Sequence, residues 1–183
     1  MTDEYARPTP KNLRYAVAAA ASGPESTTGL ILTEVARRLQ AEGHRLAGTV
    51  QIEADRNPGE ACDMVLSVLP DGPRIDITQN LGRDTQSCRL DHQALEEAAS
   101  LIDGTLNEET QFLIINKFGK RESDGAGFRQ TIAHAVELGV PVLLGIGSKI
   151  HPALEDYVGE DLIILPEDAD AILQWCHTCL GEH

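Results

Sequence analysis

The sequence predicts a three-layer α/β fold: a doubly wound, mostly parallel sheet covered by helices on both faces, with an antiparallel hairpin inserted. Three observations predict it. Short apolar runs, such as Gln111–Asn116 (QFLIIN) and Pro141–Ile146, have the character of strands buried on both faces. They alternate with longer stretches whose apolar residues recur at helical spacing. One strong turn, Pro70-Asp71-Gly72-Pro73, separates two strand-like runs by too few residues for a parallel crossover. With 183 residues, 42% of them hydrophobic, the chain is long enough to bury one core and cramped for two.

The elements follow in order. Residues 1–12 read as a flexible tail and 13–183 as a single domain. Tyr15–Ala21 is a small-residue strand that ends at Ser22-Gly23-Pro24. Thr28–Ala41 places Ile31, Leu32, Val35 and Leu39 on one helical face, and Gly43 stops that helix. Leu46–Ile52 is a strand; Met64–Leu69 and Arg74–Thr78 flank the turn as a hairpin. Asp91–Leu106 is a helix with Asp91 as its cap and Leu95, Ala98, Ala99, Ile102 and Leu106 inward. Gln111–Asn116 is a strand, Phe128–Leu138 a helix closed by Gly139, and Pro141–Ile146 a strand. His151–Tyr157 is a short helix, Asp161–Leu165 the last strand and Glu167–Leu180 the last helix.

Charge narrows the function classes. There are 29 acidic and 15 basic side chains, a formal net charge of −14. So negative a surface argues against nucleic-acid or anionic-membrane binding, both of which need phosphate-neutralising Lys and Arg. The N-terminus lacks an apolar signal region, and no run approaches the about 18 apolar residues of a membrane span, so the chain reads as cytoplasmic. The basic residues are unevenly placed. Asp91–Thr110 holds six acids and no base, and the chain after Lys149 holds eight acids and no base. Between these, Lys117, Lys120, Arg121 and Arg129 fall within thirteen residues.

In doubly wound sheets ligands bind beyond the carboxyl ends of the strands, and the loop after the first strand is the usual phosphate cradle. Here it is Ser22-Gly23-Pro24-Glu25-Ser26-Thr27-Thr28-Gly29. Ser22, Gly23, Ser26, Thr27 and Thr28 offer backbone and hydroxyl donors at a helix start. A working P-loop reads G-x-x-x-x-G-K-[ST]. Counted from Gly23, its second Gly, Lys and Ser/Thr are replaced by Thr28, Gly29 and Leu30, and Glu25 adds a negative charge. An ordinary Ser/Thr-capped turn fits these residues as well as a degenerate anion loop.

The second candidate is Lys117-Phe118-Gly119-Lys120-Arg121-Glu122-Ser123-Asp124-Gly125-Ala126-Gly127-Phe128-Arg129. A buried strand delivers four cations and three glycines to the ligand-binding edge. Glycines admit close backbone approach, and the cations supply charge and bidentate donors. Asn116-Lys117 invites comparison with the guanine-reading N-K-x-D motif, but Gly119 stands where the Asp is needed. The competing view is a solvated loop whose cations are neutralised by Glu122 and Asp124.

FLIINKFGKRESDGAGFR (Phe112–Arg129), with VLPDGPRIDITQNLG and Cys88–Asp91 (CRLD), resembles a bacterial family whose domain has no assigned function and which is often encoded near molybdenum-uptake or nitrogen-fixation genes. Its plan is similar to the small P-loop nucleoside-triphosphatases first described from thermophiles. The resemblance runs from Leu13 over nearly the whole chain. It implies a P-loop-NTPase-like fold. In the active triphosphatases the corresponding strand ends in Asp-Glu, followed by a stretch containing Gly-Lys. Here Asn116 and Lys117 occupy the acidic positions, while Gly119 and Lys120 match. The Asp would hold Mg²⁺ and the Glu would orient the attacking water, so the resemblance weakens the expectation of a Mg²⁺-dependent reaction.

The remaining motifs carry less. Trp175-Cys176-His177-Thr178-Cys179 has a thioredoxin-like W-C-x-x-C, but only four residues follow it and a low-pKa thiol needs a helix N-terminus. Cys176, Cys179 and His183 have metal-ligand spacing, yet the cysteines continue an apolar stripe with Ile172, which favours a buried structural role and no metal. Cys88, beside Arg83 and Arg89, is the better candidate for a reactive thiol. His44, His92, His134 and His151 read as surface or capping residues.

The expectation is therefore a protein that binds a small anionic ligand, either a nucleotide phosphate or an oxyanion such as molybdate, at Ser22, Gly23, Ser26, Thr27, Thr28, Asn116, Lys117, Gly119, Lys120, Arg121 and Arg129. The sequence leaves the cofactor open, a nucleotide being the one it suggests, without an expected dependence on Mg²⁺. The first alternative is a nucleoside-triphosphatase that uses Lys117 and Lys120 in place of the P-loop lysine. The second is a non-catalytic interaction module, and a homo-oligomer is compatible with each.

Overall fold

The computed structural model describes residues 17–21, 28–53, 64–79, 89–146, 151–159 and 162–181. The chain begins with β1 (Val17–Ala21), α1 (Thr28–Ala41), β2 (Leu46–Glu53), β3 (Met64–Leu69), β4 (Arg74–Asp76), β5 (Thr78–Gln79) and β6 (Arg89–Leu90). It continues through α2 (His92–Thr105), β7 (Phe112–Phe118), α3 (Lys120–Ser123), α4 (Arg129–Glu137) and β8 (Val142–Ile146). It closes with α5 (His151–Val158), β9 (Leu162–Leu165) and α6 (Ala169–Cys179).

The main sheet has seven strands in the order β4-β3-β2-β7-β8-β1-β9. The five strands from β2 to β9 in that order are parallel; β3 and β4 extend the β2 edge antiparallel. Parallel strands need helical crossovers, and these cover both faces. On one face α1 and α6 bury Leu32, Val35, Leu39, Ile172, Trp175 and Cys176 against Phe112, Ile114 and Leu143. On the other, α2, α4 and α5 bury Leu95, Ile102, Ile132 and Leu154 against Leu113, Ile115, Val142 and Leu144. β7 and β8 receive apolar surface from both layers, which is why FLII and VLLGI are continuous apolar runs rather than alternating ones.

Within the described residues the sequence-derived elements are recovered with local corrections; the tail expected at 1–12, the start of the first strand at Tyr15 and Ala16, and Asp161 lie outside them. Asp91 caps α2, its side chain accepting from the Ala94 amide at 3.1 Å. The Pro70–Pro73 turn joins β3 to β4 as an antiparallel hairpin. The hairpin's second strand is shorter than Arg74–Thr78. It ends at Asp76, and Thr78 belongs to a separate two-stranded ribbon, β5 with β6, that leads into α2. β7 runs two residues past Asn116, to Phe118. The chain after it is not an open loop but carries the short helix α3. Among the described residues no helix is long and apolar enough to cross a membrane.

β1 leaves through α1 on one face of the sheet, whereas its neighbour β8 leaves through α5 on the other. The crevice between their carboxyl ends is therefore the topological switch point of the sheet, and β7 lies immediately beside β8.

Candidate functional site

The carboxyl end of β7 is bulged. Ile115 pairs with Leu144 and Phe118 with Ile146, so three steps on β7 match two on β8 and one extra residue is accommodated at Asn116-Lys117. Both flanking side chains, Ile115 and Phe118, return to the same core. The bulge presses the Asn116 carbonyl against β8 at Gly145, where a Cβ would overlap that oxygen. Asn116 is anchored from β2, its Oδ1 accepting from the Thr49 hydroxyl at 3.0 Å. Lys117 and Lys120 are exposed, and neither has an ion-pair partner among the described residues.

Residues 119–128 are folded around two carboxylates. Glu122, 3% exposed, accepts from the Gly119 amide at 2.8 Å and the Phe128 amide at 3.3 Å. Burial pushes its carboxyl above the ordinary range, with those amides opposing the shift. Glu96, from α2, accepts from the Gly127 amide at 2.9 Å and faces Arg121 at 3.5 Å. Gly127 has φ +60, and a Cβ there would collide with Glu122 Oε1, so glycine is required on both counts. Arg129 donates to the Glu122 and Ser123 carbonyls at 3.2 and 3.3 Å and lies 4.4 Å over the Tyr157 ring. Tyr157 returns a hydrogen bond to the Arg129 carbonyl at 2.9 Å.

This geometry sorts the four cations. Arg121 and Arg129 are engaged in holding the segment; Lys117 and Lys120 remain outward. Glu122 does not neutralise a cation, as a solvated loop would require; it serves the backbone, while Asp124 is exposed. Gly119 caps α3 and is bound through its amide to Glu122. Glu96 and Glu122, which organise the segment, were not singled out from sequence as its scaffold. The available signal was a carboxylate placed three residues after Gly119, at the third position of a helix start.

Of the first-loop candidates, Ser22, Gly23, Ser26 and Thr27 lie outside the described residues. Thr28 is the first residue of α1 and is buried; its hydroxyl donates to Glu167 Oε1, just beyond β9, at 3.0 Å. That proton is thereby committed to a carboxylate. At the β7 terminus the donor set does not suit Mg²⁺: Asn116 is neutral with its oxygen on Thr49, Lys117 is cationic, and Glu122 is buried on amides.

Cys176 is fully buried and burial pushes its thiol well up; burial also lifts Cys179 to about 12. Both favour the structural role expected for them, and Cys88 and His183 lie outside the described residues. His92 is exposed and His134 stands 3.7 Å from Asp103. His44 is not an isolated surface residue: it lies with Glu42 and His177, which the sequence separates by more than a hundred positions.

A family model described as "Protein of unknown function (DUF2478)" matches residues 17–175. A curated relative, the molybdenum import ATP-binding protein ModC 2 of Bradyrhizobium diazoefficiens, is 31% identical over 143 residues, 78% of this chain. The chain spans only 16% of that relative's length. Among solved structures, THEP1 from the hyperthermophile Aquifex aeolicus superposes with a TM-score of 0.60 at 17% identity, covering 86% of this chain and 94% of that one. A human cancer-related nucleoside triphosphatase superposes with a TM-score of 0.62 at 15% identity, covering 90% and 96%. At these identities the likeness is one of fold, and the fold is nucleoside-triphosphatase-like.

Proposed function

Because the chain belongs to the DUF2478 family and carries two outward lysines at the bulged end of β7, we propose that it binds a small anion at the carboxyl edge of its sheet. The ligand is a nucleotide phosphate or a free oxyanion such as molybdate. The observation that carries the proposal is Lys117 and Lys120: both exposed, both without an ion-pair partner among the described residues, in a chain of net charge −14. Lys117 at the end of β7 and Lys120 at the start of α3 stand beside the switch-point crevice, where this sheet type receives its ligands. Asn116 adds an amide group whose oxygen is already satisfied, leaving its N–H donors for a ligand. Arg121 and Arg129 hold the shape of the segment, with Gly119 at its start. Ser22, Gly23, Ser26 and Thr27 belong to the proposal on their sequence alone, and Thr28, whose hydroxyl proton is held by Glu167, would contribute only its backbone.

The name of the ModC 2 relative, which includes both ATP binding and molybdenum import, supports the choice of ligands to test. One strand, β8, separates β1 from β7, so their ends are about 10 Å apart at ordinary strand spacing. A polyphosphate bridges such a gap more readily than a single oxyanion. Isothermal titration with ATP, GTP, molybdate and sulfate tests the proposal. One ligand class binds the wild-type chain, and Lys117→Ala and Lys120→Ala each weaken it roughly ten- to hundredfold, the worth of one charged hydrogen bond. No heat from any of the four overturns it.

The likeness to a nucleoside triphosphatase favours one second reading, hydrolysis with Lys117 serving as the phosphate-binding lysine. Mg²⁺-dependent phosphate release that disappears in Lys117→Ala would select it over binding alone.

A further inference from the structure

At the opposite end of the sheet, Glu42, His44 and His177 bring one carboxylate oxygen and two imidazole nitrogens within 4.8 Å of one another. We propose that these three residues form a binding site for a divalent transition-metal cation of the Zn²⁺ class, independent of the anion edge. α1 runs from the carboxyl end of β1 back to the amino end of β2, so the cluster lies at the strand amino termini.

The donors converge on one point. Glu42 Oε2 is 2.7 Å from His177 Nε2 and 3.4 Å from His44 Nε2. Ligands about 2.1 Å from a tetrahedral Zn²⁺ stand roughly 3.4 Å apart, so adjustments of about an ångström would seat the ion. Two imidazoles and a carboxylate suit Zn²⁺, Co²⁺ and their neighbours better than the all-oxygen preference of Mg²⁺ or Ca²⁺.

The site is also pre-organised. α1 ends in a Schellman turn: Gly43, at φ +88, donates to the Gln40 carbonyl at 3.0 Å, and the His44 amide donates to Leu39 at 3.0 Å. That turn fixes Glu42 and His44 on either side of a glycine. His177 sits in the last turn of α6, which packs against α1 through Leu32, Val35, Leu39, Ile172 and Cys176. Two helices thus direct their carboxyl termini at the cluster, and the negative ends of both dipoles favour a cation there. The His44 side chain is only 10% exposed, while those of Glu42 and His177 are 41% and 34% exposed, leaving an approach for the ion. Three protein donors leave a fourth position for water, and the bound ion would tie the end of α1 to the end of α6.

The test uses the full chain without a polyhistidine tag. Zn²⁺ is titrated calorimetrically and Co²⁺ by its visible d–d absorption, in wild type, His44→Ala, His177→Ala and the control His134→Ala. One equivalent binds the wild type and the control, and either cluster variant weakens binding more than about tenfold, at least the cost of losing a supporting residue around a metal. Zn²⁺ raises the melting temperature of the wild type and not of His177→Ala, whose far-ultraviolet circular dichroism confirms that it folds. Equal Co²⁺ spectra in wild type and His177→Ala overturn the proposal, because Glu42 and the histidines are then only an ion pair. A thiolate-to-Co²⁺ charge-transfer band overturns the donor set by bringing in a cysteine.

Discussion

Gly145 sits inside a strand of otherwise large apolar residues, and its reason is steric. The Asn116 carbonyl of the β7 bulge occupies the space that a Cβ at 145 would need, and Leu32 closes the same space from α1. Either β8 or the bulge must move if a methyl group is added. Gly145→Ala is therefore expected to cost about 1–3 kcal/mol, the usual range for overpacking a core. Urea unfolding should show a lower midpoint at unchanged slope. The same substitution should weaken anion binding although residue 145 carries no charge, because the bulge it disturbs presents Lys117. A variant as stable as the wild type would mean that the bulge is not pinned by its neighbour. An isolated glycine in an apolar strand is a readable sign of a close backbone approach, but the partner is contributed by another strand.

Among the elements, those built from long apolar runs or strong caps were legible from sequence: Phe112–Ile115, Val142–Ile146, the Asp91-capped α2 and the Pro70–Pro73 hairpin. Their determinants are local. The ribbon of β5 with β6 was not legible, since two-residue strands carry no period, and neither was α3, whose four residues depend on Glu122 reaching back to Gly119. The cluster of Glu42, His44 and His177 was invisible for a different reason: it exists only once α6 docks beside α1. Lys117 and Lys120 were legible as a cation cluster, but the separation of their role from that of Arg121 and Arg129 needed the partners. The segment from Gly119 to Phe128 yields a pH prediction. Burial holds the folded-state pKa of Glu122 above its ordinary value of 4.5, so the folded chain binds this proton more tightly than the unfolded one. The contribution of this group is then most favourable below 4.5 and is lost as pH rises through the raised value. Glu122→Gln removes that dependence, although its amide group serves one of the two backbone donors less well. Denaturant unfolding from pH 4 to 7 should show the variant gaining on the wild type as pH rises. A difference that stays constant with pH would mean that Glu122 is not charged at a cost in the folded state.

For the molecule as a whole, the distribution of burial across the sheet sets which parts open together. β7 and β8 are central, paired on both sides and covered by helices on both faces; Phe112, Leu113, Ile114, Ile115, Val142, Leu143 and Leu144 are all fully buried. β4 is the opposite case, a three-residue edge strand with Arg74 and Asp76 exposed. Fraying of β4 exposes little apolar surface, whereas separating β7 from β8 opens both cores at once. Amide hydrogen exchange should therefore be slowest across Leu113–Ile115 and Leu143–Gly145, with a free energy equal to that of global unfolding. Exchange in Arg74–Asp76 should be faster by several orders of magnitude. Urea dependence supplies the decisive readout, because amides that exchange by global opening show the full equilibrium slope and those that exchange by fraying show almost none. Full-slope exchange in β4 would make the hairpin part of the cooperative core rather than an addition at its edge. Sub-global exchange in β8 would remove the rigid support that the bulge at Asn116-Lys117 requires.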